Sequence, residues 1–357
     1  MDGSLGFNTF EKQDKILVGM SGGVDSSVTV RILQEQGFSV QGAVIRFSDA
    51  HDGAVEQAQA AAKALCVPLH IIDAKEDFER EVVVPFCESY CDGRTPNPCI
   101  VCNPLVKFRL LARKADELGC SFLATGHYAR VEQCPDGFYR LCAPESAARD
   151  QTYMLYRLPQ DILARLVLPL GEFEKEDVRE IARDIELPCA DAPDSMEICF
   201  IPDGDYAGFI RQRGYTPKAG RFLGPRGEDL GPHSVVDHYT VGQRKGLGIA
   251  AGRPLFVKAI LPDGNIQLAE SGEEYSSRLT LSDLATPDGK PLPDGEYRVK
   301  VRSAAQAVKC RFAGGMPGSG RGVVTFPESV RAPAPGQSAV FYRSGIVLGG
   351  GFIETAE

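Results

Sequence analysis

The first 200 residues alternate short apolar runs with stretches of helical periodicity. Residues 15–20 (KILVGM) predict a buried strand, 26–36 a helix stopped by Gly37, and 38–45 the next strand. An Ala-rich helix over 54–65, a strand over 69–73 (LHIID) and a helix over 77–90 follow, the last closed by Asp92-Gly93. A polar, proline-bearing loop is expected over 93–103 (GRTPNPCIVCN), then a basic helix, a strand over 121–125 and an amphipathic helix over 174–186. Strands alternating with helices predict an α/β doubly wound parallel sheet, whose ligands lie beyond the carboxyl ends of its strands. After Asp205 glycine and proline become frequent and helical periodicity fades. Short alternating runs take over at 255–260, 266–269, 297–302, 322–326 and 339–342, with a hairpin loop at 314–322. Three domains are therefore expected: an α/β domain over 1–205, a small central domain over 206–268 and a C-terminal β-barrel over 269–357.

Composition narrows the function classes. Hydrophobic residues at 43% and charged residues at 24% exclude a largely disordered or fibrous chain. No apolar run approaches the roughly 20 residues of a membrane helix, and the segment 1–7 lacks a basic start and an apolar core, so a cytoplasmic protein without a membrane partner is expected. Eleven cysteines, an odd number in a long chain, argue for reduced thiols over a disulfide framework. The net charge of −9 is unevenly spread. Residues 1–205 hold 20 Lys+Arg against 34 Asp+Glu, whereas 206–258 hold nine basic residues, Arg244 and Lys245 among them, against three acidic ones. A second stretch, 290–343, again sets nine basic residues against three acidic ones. Charge alone leaves these as solvated faces or as polyanion-binding surfaces.

The sharpest local signal is Ser21-Gly22-Gly23-Val24-Asp25-Ser26-Ser27, set between the first strand and its helix. Two glycines permit a tight turn, the serines offer hydroxyls, and the helix start presents unpaired N–H groups, which together suit an oxyanion. It is not a Walker A loop, because no Gly-Lys-Ser/Thr occurs in the chain. The run Gly19-Met20-Ser21-Gly22-Gly23-Val24-Asp25-Ser26 resembles the signature of the PP-loop ATP pyrophosphatases, with an adenine nucleotide alpha hydrolase-like fold. The resemblance implies ATP, with Mg, cleaved between the α and β phosphates.

Further motifs select within that superfamily. Gly93-Arg94-Thr95-Pro96-Asn97-Pro98, Cys102-Asn103 and Lys107-Phe108 resemble the active-site loop of the bacterial tRNA-specific 2-thiouridylases. The same resemblance continues through Ala124-Thr125-Gly126-His127-Tyr128, Arg149-Asp150-Gln151, Asp194-Ser195 with Ile198-Cys199-Phe200-Ile201, Gly242 to Gly248 and Pro335 to Val340, nearly the whole chain. It implies adenylation of the C2 oxygen of the wobble uridine (position 34) and sulfur delivery from a cysteine persulfide, with release of AMP and pyrophosphate. Cys199 would carry the persulfide and Cys102 would attack it or form the transient disulfide. Carried over residue by residue, Ile45 and Gly126 lie near the adenosine, and Asn97, Pro98 and Cys99 near the target base. His127, Arg149, Asp150, Gln151, Arg302 and Gln337 would touch tRNA. The implied partners are tRNA and a persulfide donor, a cysteine desulfurase or sulfur-relay protein, with the chain itself monomeric.

This chain departs from that pattern at Cys99, where relatives often have aspartate, and at Ser303, where they often have an aromatic residue. Cys99, Cys102 and Cys199 therefore also form a candidate ligand set for an iron-sulfur cluster with one open iron. The alternatives are a neighbouring thiol without metal, a PP-loop ligase acting on a small substrate, or a non-catalytic sulfur carrier.

Overall fold

The computed structural model describes residues 14–194, 197–249, 251–316 and 318–357. Met1 to Phe7, Ser195 and Pro317, on which parts of the sequence expectations fall, lie outside the described residues.

Strands β1 (Lys15–Gly19), β2 (Ser39–Arg46), β3 (Leu69–Asp73), β4 (Phe122–Thr125) and β7 (Leu166–Val167) form a parallel sheet in the order β3-β2-β1-β4-β7. Successive side chains enter opposite faces: Ile16 and Val18 join one apolar cluster and Leu17 the other. Burial on both faces explains why β1 reads as a continuous apolar run. The order reverses direction between β1 and β4, so the loops after β1, β2 and β4 meet at one edge, where a doubly wound sheet binds its ligands.

Helices α1 (Val24–Glu35) and α2 (Asp52–Ala64) match the periodicity. The expected single helix over 77–90 is instead two α-helical pieces, Lys75–Phe78 and Val84–Cys91, around a π-helical turn at Glu79–Val83. The loop expected over 93–103 is corrected more sharply. Pro98–Cys102 is helical and runs through a second π-helical turn, Asn103–Lys107, into the helix Phe108–Leu118. Asn97 caps this start by accepting the Cys99 N–H at 3.1 Å, with Pro98 in the first helical position. The two prolines that suggested a loop are thus one helix-starting device and its approach.

The central segment packs β8 (Gly220–Leu223), β9 (Asp229–His233), β10 (Phe256–Ile260) and β11 (Ile266–Ala269) in the order β10-β11-β8-β9 around Phe222, Tyr239, Val257 and Leu268. The last six strands are β12 (Tyr275–Ala285), β13 (Gly295–Lys300), β14 (Val308–Gly314), β15 (Gly322–Arg331), β16 (Ser338–Arg343) and β17 (Ile346–Ala356). Pairing of β12 with both β15 and β17 closes them into the expected barrel. The hairpin β5 (Arg130–Gln133) and β6 (Tyr139–Cys142) was not legible in the sequence, and it joins the barrel sheet through β17. No helix among the described residues is long and apolar enough to cross a membrane.

Tyr153 fastens the α/β part to the barrel. Its buried hydroxyl donates to the Ser338 carbonyl at 2.8 Å and accepts the Ser338 N–H at 3.0 Å. Replacing Tyr153 by Phe strands both groups, so the variant is expected to lose about 1–3 kcal/mol of stability, read as a lower urea midpoint with an unchanged slope. An unchanged midpoint would show that water or another donor takes over the bonds.

Candidate functional site

The loop after β1 is held open by its own side chains. Ser26 Oγ accepts the Ser21 N–H at 3.1 Å and donates to the Gly23 carbonyl at 3.1 Å, while Ser27 Oγ donates to the same carbonyl at 2.9 Å. Gly22 has φ of +82°, and a Cβ there would stand 2.6 Å from Gln57 Cβ and 2.9 Å from the Ala58 nitrogen. Val24 is buried and belongs to the core, so within Gly19 to Ser26 the groups left to face a ligand are main chain, Ser21 and Asp25. Met20 is likewise buried beneath the turn. Gly126 backs the loop from β4, where a Cβ would lie 2.7 Å from the Asp25 carbonyl carbon. Ile45 ends β2 at the same edge, almost fully buried.

Asp25 is tied from below. Its Oδ1 accepts from the Tyr128 hydroxyl at 2.9 Å and from Lys175 Nζ at 2.6 Å. Lys175 also lies 3.0 Å from Asp194 Oδ1, and Asp194 takes Arg179 at 2.8 Å and Arg149 at 2.9 Å. Burial pushes the Asp194 carboxyl up, but the hydrogen bond and charge of Lys175, joined by the two arginines, hold it below the usual range. Burial and the Asp25 carboxylate both raise the Tyr128 phenol, which stays a donor.

Lys175, Tyr128 as a donor to Asp25, and Arg179 were missed in the sequence as members of this site. One signal existed: Lys175 opens the helix Lys175–Asp184 in the capping box of Glu174 and Asp177, where a cation opposes the helix dipole and needs another reason to be there.

The cysteines meet around Lys107. Cys99 and Cys199 reach solvent and Cys102 is half-buried. Although two of these thiols touch solvent, the protein packed around them pushes Cys102 up to about 12 and Cys199 up to about 11, against the pull of the Lys107 ammonium. Cys99 is raised by the same burial, and burial lowers Lys107. Lys107 Nζ stands 3.4 Å from His127 Nε2, and His127 Nδ1 is 2.7 Å from Thr125 Oγ1. An ammonium can only donate, so Nε2 accepts and Nδ1–H donates to Thr125. Burial and the Lys107 charge keep this imidazole neutral, with Phe108 stacked on it. Phe200, the neighbour of Cys199, is anchored between Phe78 and Phe86, with ring centroids 5.3 Å from each.

The candidate iron-sulfur ligands Cys99, Cys102 and Cys199 do not fit a cluster, because among the described residues no three His, Cys, Asp or Glu side chains are arranged to hold a metal. The Lys107 charge reaches all three thiols without their forming a ligand set.

Of the residues expected at tRNA, several are engaged within the molecule. Arg149 pairs with Asp194; Asp150 pairs with Lys300 of the barrel at 2.6 Å; Gln151 Oε1 accepts the Tyr128 N–H at 2.8 Å. Gln337 Nε2 donates to the Thr95 carbonyl at 2.8 Å, and the Thr95 N–H donates to the Pro335 carbonyl at 2.8 Å, so the barrel braces the segment leading to Asn97. Arg302 ties the Val241 carbonyl, at 2.8 Å, to that of Ala332. Arg244 and Lys245 are exposed on the central segment, where Arg244 helps line a cavity of ≈ 530 Å³ with Arg253.

Comparison with known proteins follows the same division of the chain. Three family models match: a tRNA methyl transferase HUP domain over residues 14–203, a tRNA methyl transferase PRC-barrel domain over 208–268 and an aminomethyltransferase beta-barrel domain over 276–353. Among similar curated proteins, the tRNA-specific 2-thiouridylase MnmA of Carboxydothermus hydrogenoformans is 44% identical, covering 95% of this chain and 97% of its own. That of Syntrophotalea carbinolica is 42% identical, covering 96% and 99%. The U34-tRNA thiolase NcsA from Methanococcus maripaludis, solved with a 4Fe-4S cluster, aligns with 58% of this chain and 70% of its own at 17% identity and a TM-score of 0.38, too distant to bear on this site. With its helix-capping phosphate loop, its cleft of thiols and relatives matching from end to end, the chain belongs to the family of tRNA-specific 2-thiouridylases.

Proposed function

We propose that the protein is an ATP-dependent tRNA-uridine 2-sulfurtransferase that thiolates the wobble uridine. The observation that carries this reading is an oxyanion-cradling loop at the sheet edge, backed by Gly126, whose neighbour His127 bonds Lys107, the lysine whose charge reaches Cys99, Cys102 and Cys199. The words methyl transferase in two of the family descriptions fit the geometry less well, since methyl transfer gives the phosphate cradle no task.

The uridine C2 oxygen is a poor leaving group. Its attack on the α phosphorus of ATP expels pyrophosphate and leaves C2 bearing AMP through that oxygen. The loop N–H groups and the α1 dipole would hold the polyphosphate during this step. Magnesium would enter as the companion of the triphosphate, a hard cation held by phosphate oxygens and water. The terminal sulfur of a Cys199 persulfide then attacks C2 and the C2–O bond breaks, releasing AMP. Cys102 thiolate attacks Cys199 Sγ, breaking the bond to the transferred sulfur and leaving 2-thiouridine and a Cys102–Cys199 disulfide, which a thiol reductant resets. Lys107 is the cation placed to favour the thiolates, and the exposed basic central segment, Arg244 and Lys245 included, supplies phosphate contacts. A persulfide donor, action as a monomer and a cytoplasmic setting complete the proposal.

Ser26→Ala removes the hydroxyl that folds the loop, so adenylation measured as tRNA-dependent pyrophosphate release should fall about 100-fold or more while tRNA affinity holds. Equal loss of both in a folded variant would count against the loop's assignment.

Affinity for tRNA should fall by roughly 0.7–0.9 in log-log salt slope for each phosphate neutralised, and Arg244→Glu with Lys245→Glu should flatten that slope. A salt-independent affinity would leave the basic segment as a solvated face.

Because burial holds Cys199 to about 11, its reaction with iodoacetamide should rise about tenfold per pH unit from pH 7 to pH 10. A plateau below pH 9 would refute this. In anaerobic turnover without iron, Cys199→Ser should form no persulfide, Cys102→Ser should load one without completing transfer, and Cys99→Ser should stay active. Product in strict proportion to iron would overturn the persulfide route.

A further inference from the structure

A cavity of ≈ 260 Å³ opens where the α/β part meets the barrel, apart from the groups assigned above to ATP and sulfur. Phe86 of the helix Val84–Cys91, Pro98 and Val101 of the helical turn Pro98–Cys102, and Ser282 and Phe352 of β12 and β17 line it. Rings and prolines thus make much of the lining apolar. Two charged side chains also reach it. Glu81 is matched by Arg80 at 2.9 Å, whereas the exposed Arg94 guanidinium has no hydrogen-bond, ion-pair or ring partner among the described residues. Pro98 and Val101 stand one turn apart, as do Cys99 and Cys102. Successive residues are rotated by about 100° around a helix, so the two pairs occupy neighbouring faces of one turn.

One free guanidinium offers a planar fork for a single phosphodiester and too little charge for a triphosphate. Rings and prolines beside it suit the flat face of an unstacked base. A helix with its side chains is about 10–12 Å across, so an occupant of the cavity lies about one nucleotide from a uridine held at Cys99 and Cys102. Resting on the functional reading above, we propose that the cavity takes the base next to the target uridine in the same RNA, splayed out of its stack, and that Arg94 holds the phosphate joining the two nucleotides. Arg94 is then a specificity-determining residue. The barrel takes part in recognition through Ser282 and Phe352, beyond bracing the approach to Asn97.

The test measures the affinity of the full chain, by fluorescence anisotropy, for a tRNA that is intact or abasic at the nucleotide on either side of the target uridine. In the wild type one of the two abasic sites should weaken binding about tenfold, the loss expected when one stacked base is removed. Ser282→Phe, which fills the cavity from the barrel side, should bind intact tRNA about tenfold more weakly and make no further distinction between intact and abasic RNA. Arg94→Ala should lower the log-log salt slope by about 0.7–0.9, the share of one phosphate, and Arg94→Lys should restore it. A wild type indifferent to both abasic sites, or a penalty undiminished in Ser282→Phe, would overturn the base pocket; an unchanged slope in Arg94→Ala would overturn the phosphate contact. Should Ser282→Phe fail to fold, the abasic pair measured on the wild type and the exposed Arg94 variants carry the decision. Binding needs neither ATP nor sulfur, so the two readings fail separately. Wild type that makes 2-thiouridine but ignores both abasic sites sinks the pocket only; wild type that makes none with every component present sinks the function.

Discussion

A charge taken out of water has to be paired, and the arrangement of this site follows from where the pairing of Lys175 is found. Its ammonium is nearly buried, and its partners come from far apart, Asp25 in the first turn of α1 and Asp194 well over a hundred residues later. Removing both carboxylates would leave this buried ammonium uncompensated, whereas Asp25 and Asp194 each keep a share of solvent. The sheet alone would bring the strand ends to one edge without specifying how far each loop stands from its neighbour. The shared cation supplies that specification, and Tyr128 and Gly126, both just past β4, close the loop from the remaining side.

The barrel braces the thiol side of the cleft. Pro335 and Gln337 bond Thr95 at the approach to the helical turn that holds Cys99 and Cys102, and Lys300 neutralises Asp150 beside Thr152. Tyr153 and Tyr156 insert their hydroxyls against Ser338 at the start of β16. The Pro335 motif is therefore joined to the site through the Thr95 main chain, whose N–H bonds the Pro335 carbonyl and whose carbonyl takes the Gln337 side chain. The π-helical turn at Asn103–Lys107 has a similar role. It widens one turn between the cysteines and Lys107, a distortion often found near functional sites, and Asn103 pins it by donating to the Met154 carbonyl at 2.9 Å.

The surrounding protein sets the chemistry in two directions. It raises the thiols of Cys102 and Cys199 above their ordinary range, toward the protonated form. It also makes a single ammonium count for more than it would in water, so Lys107 acts on all three thiols and on His127 at once. The histidine consequently works as a neutral orienting group, bonded to Thr125 and the lysine.

The sequence by itself determined the sheet, the phosphate loop and the succession from α/β to β structure. Each of these is written locally: a buried strand is an apolar run, a tight turn needs glycine, and a helix shows its period of 3.6 residues. It also marked Cys102 and Cys199 through the motifs around them. Only the tertiary structure decided that residues 98–102 are helical, that β5 and β6 belong with the barrel, and that Lys175 joins Asp25 to Asp194. It likewise decided that Arg149, Asp150, Gln151 and Gln337 have partners inside the molecule. The reason is physical: a lysine in a polar helix looks solvated until the fold removes its water, and a buried charge is defined by partners that the chain brings from far away in sequence.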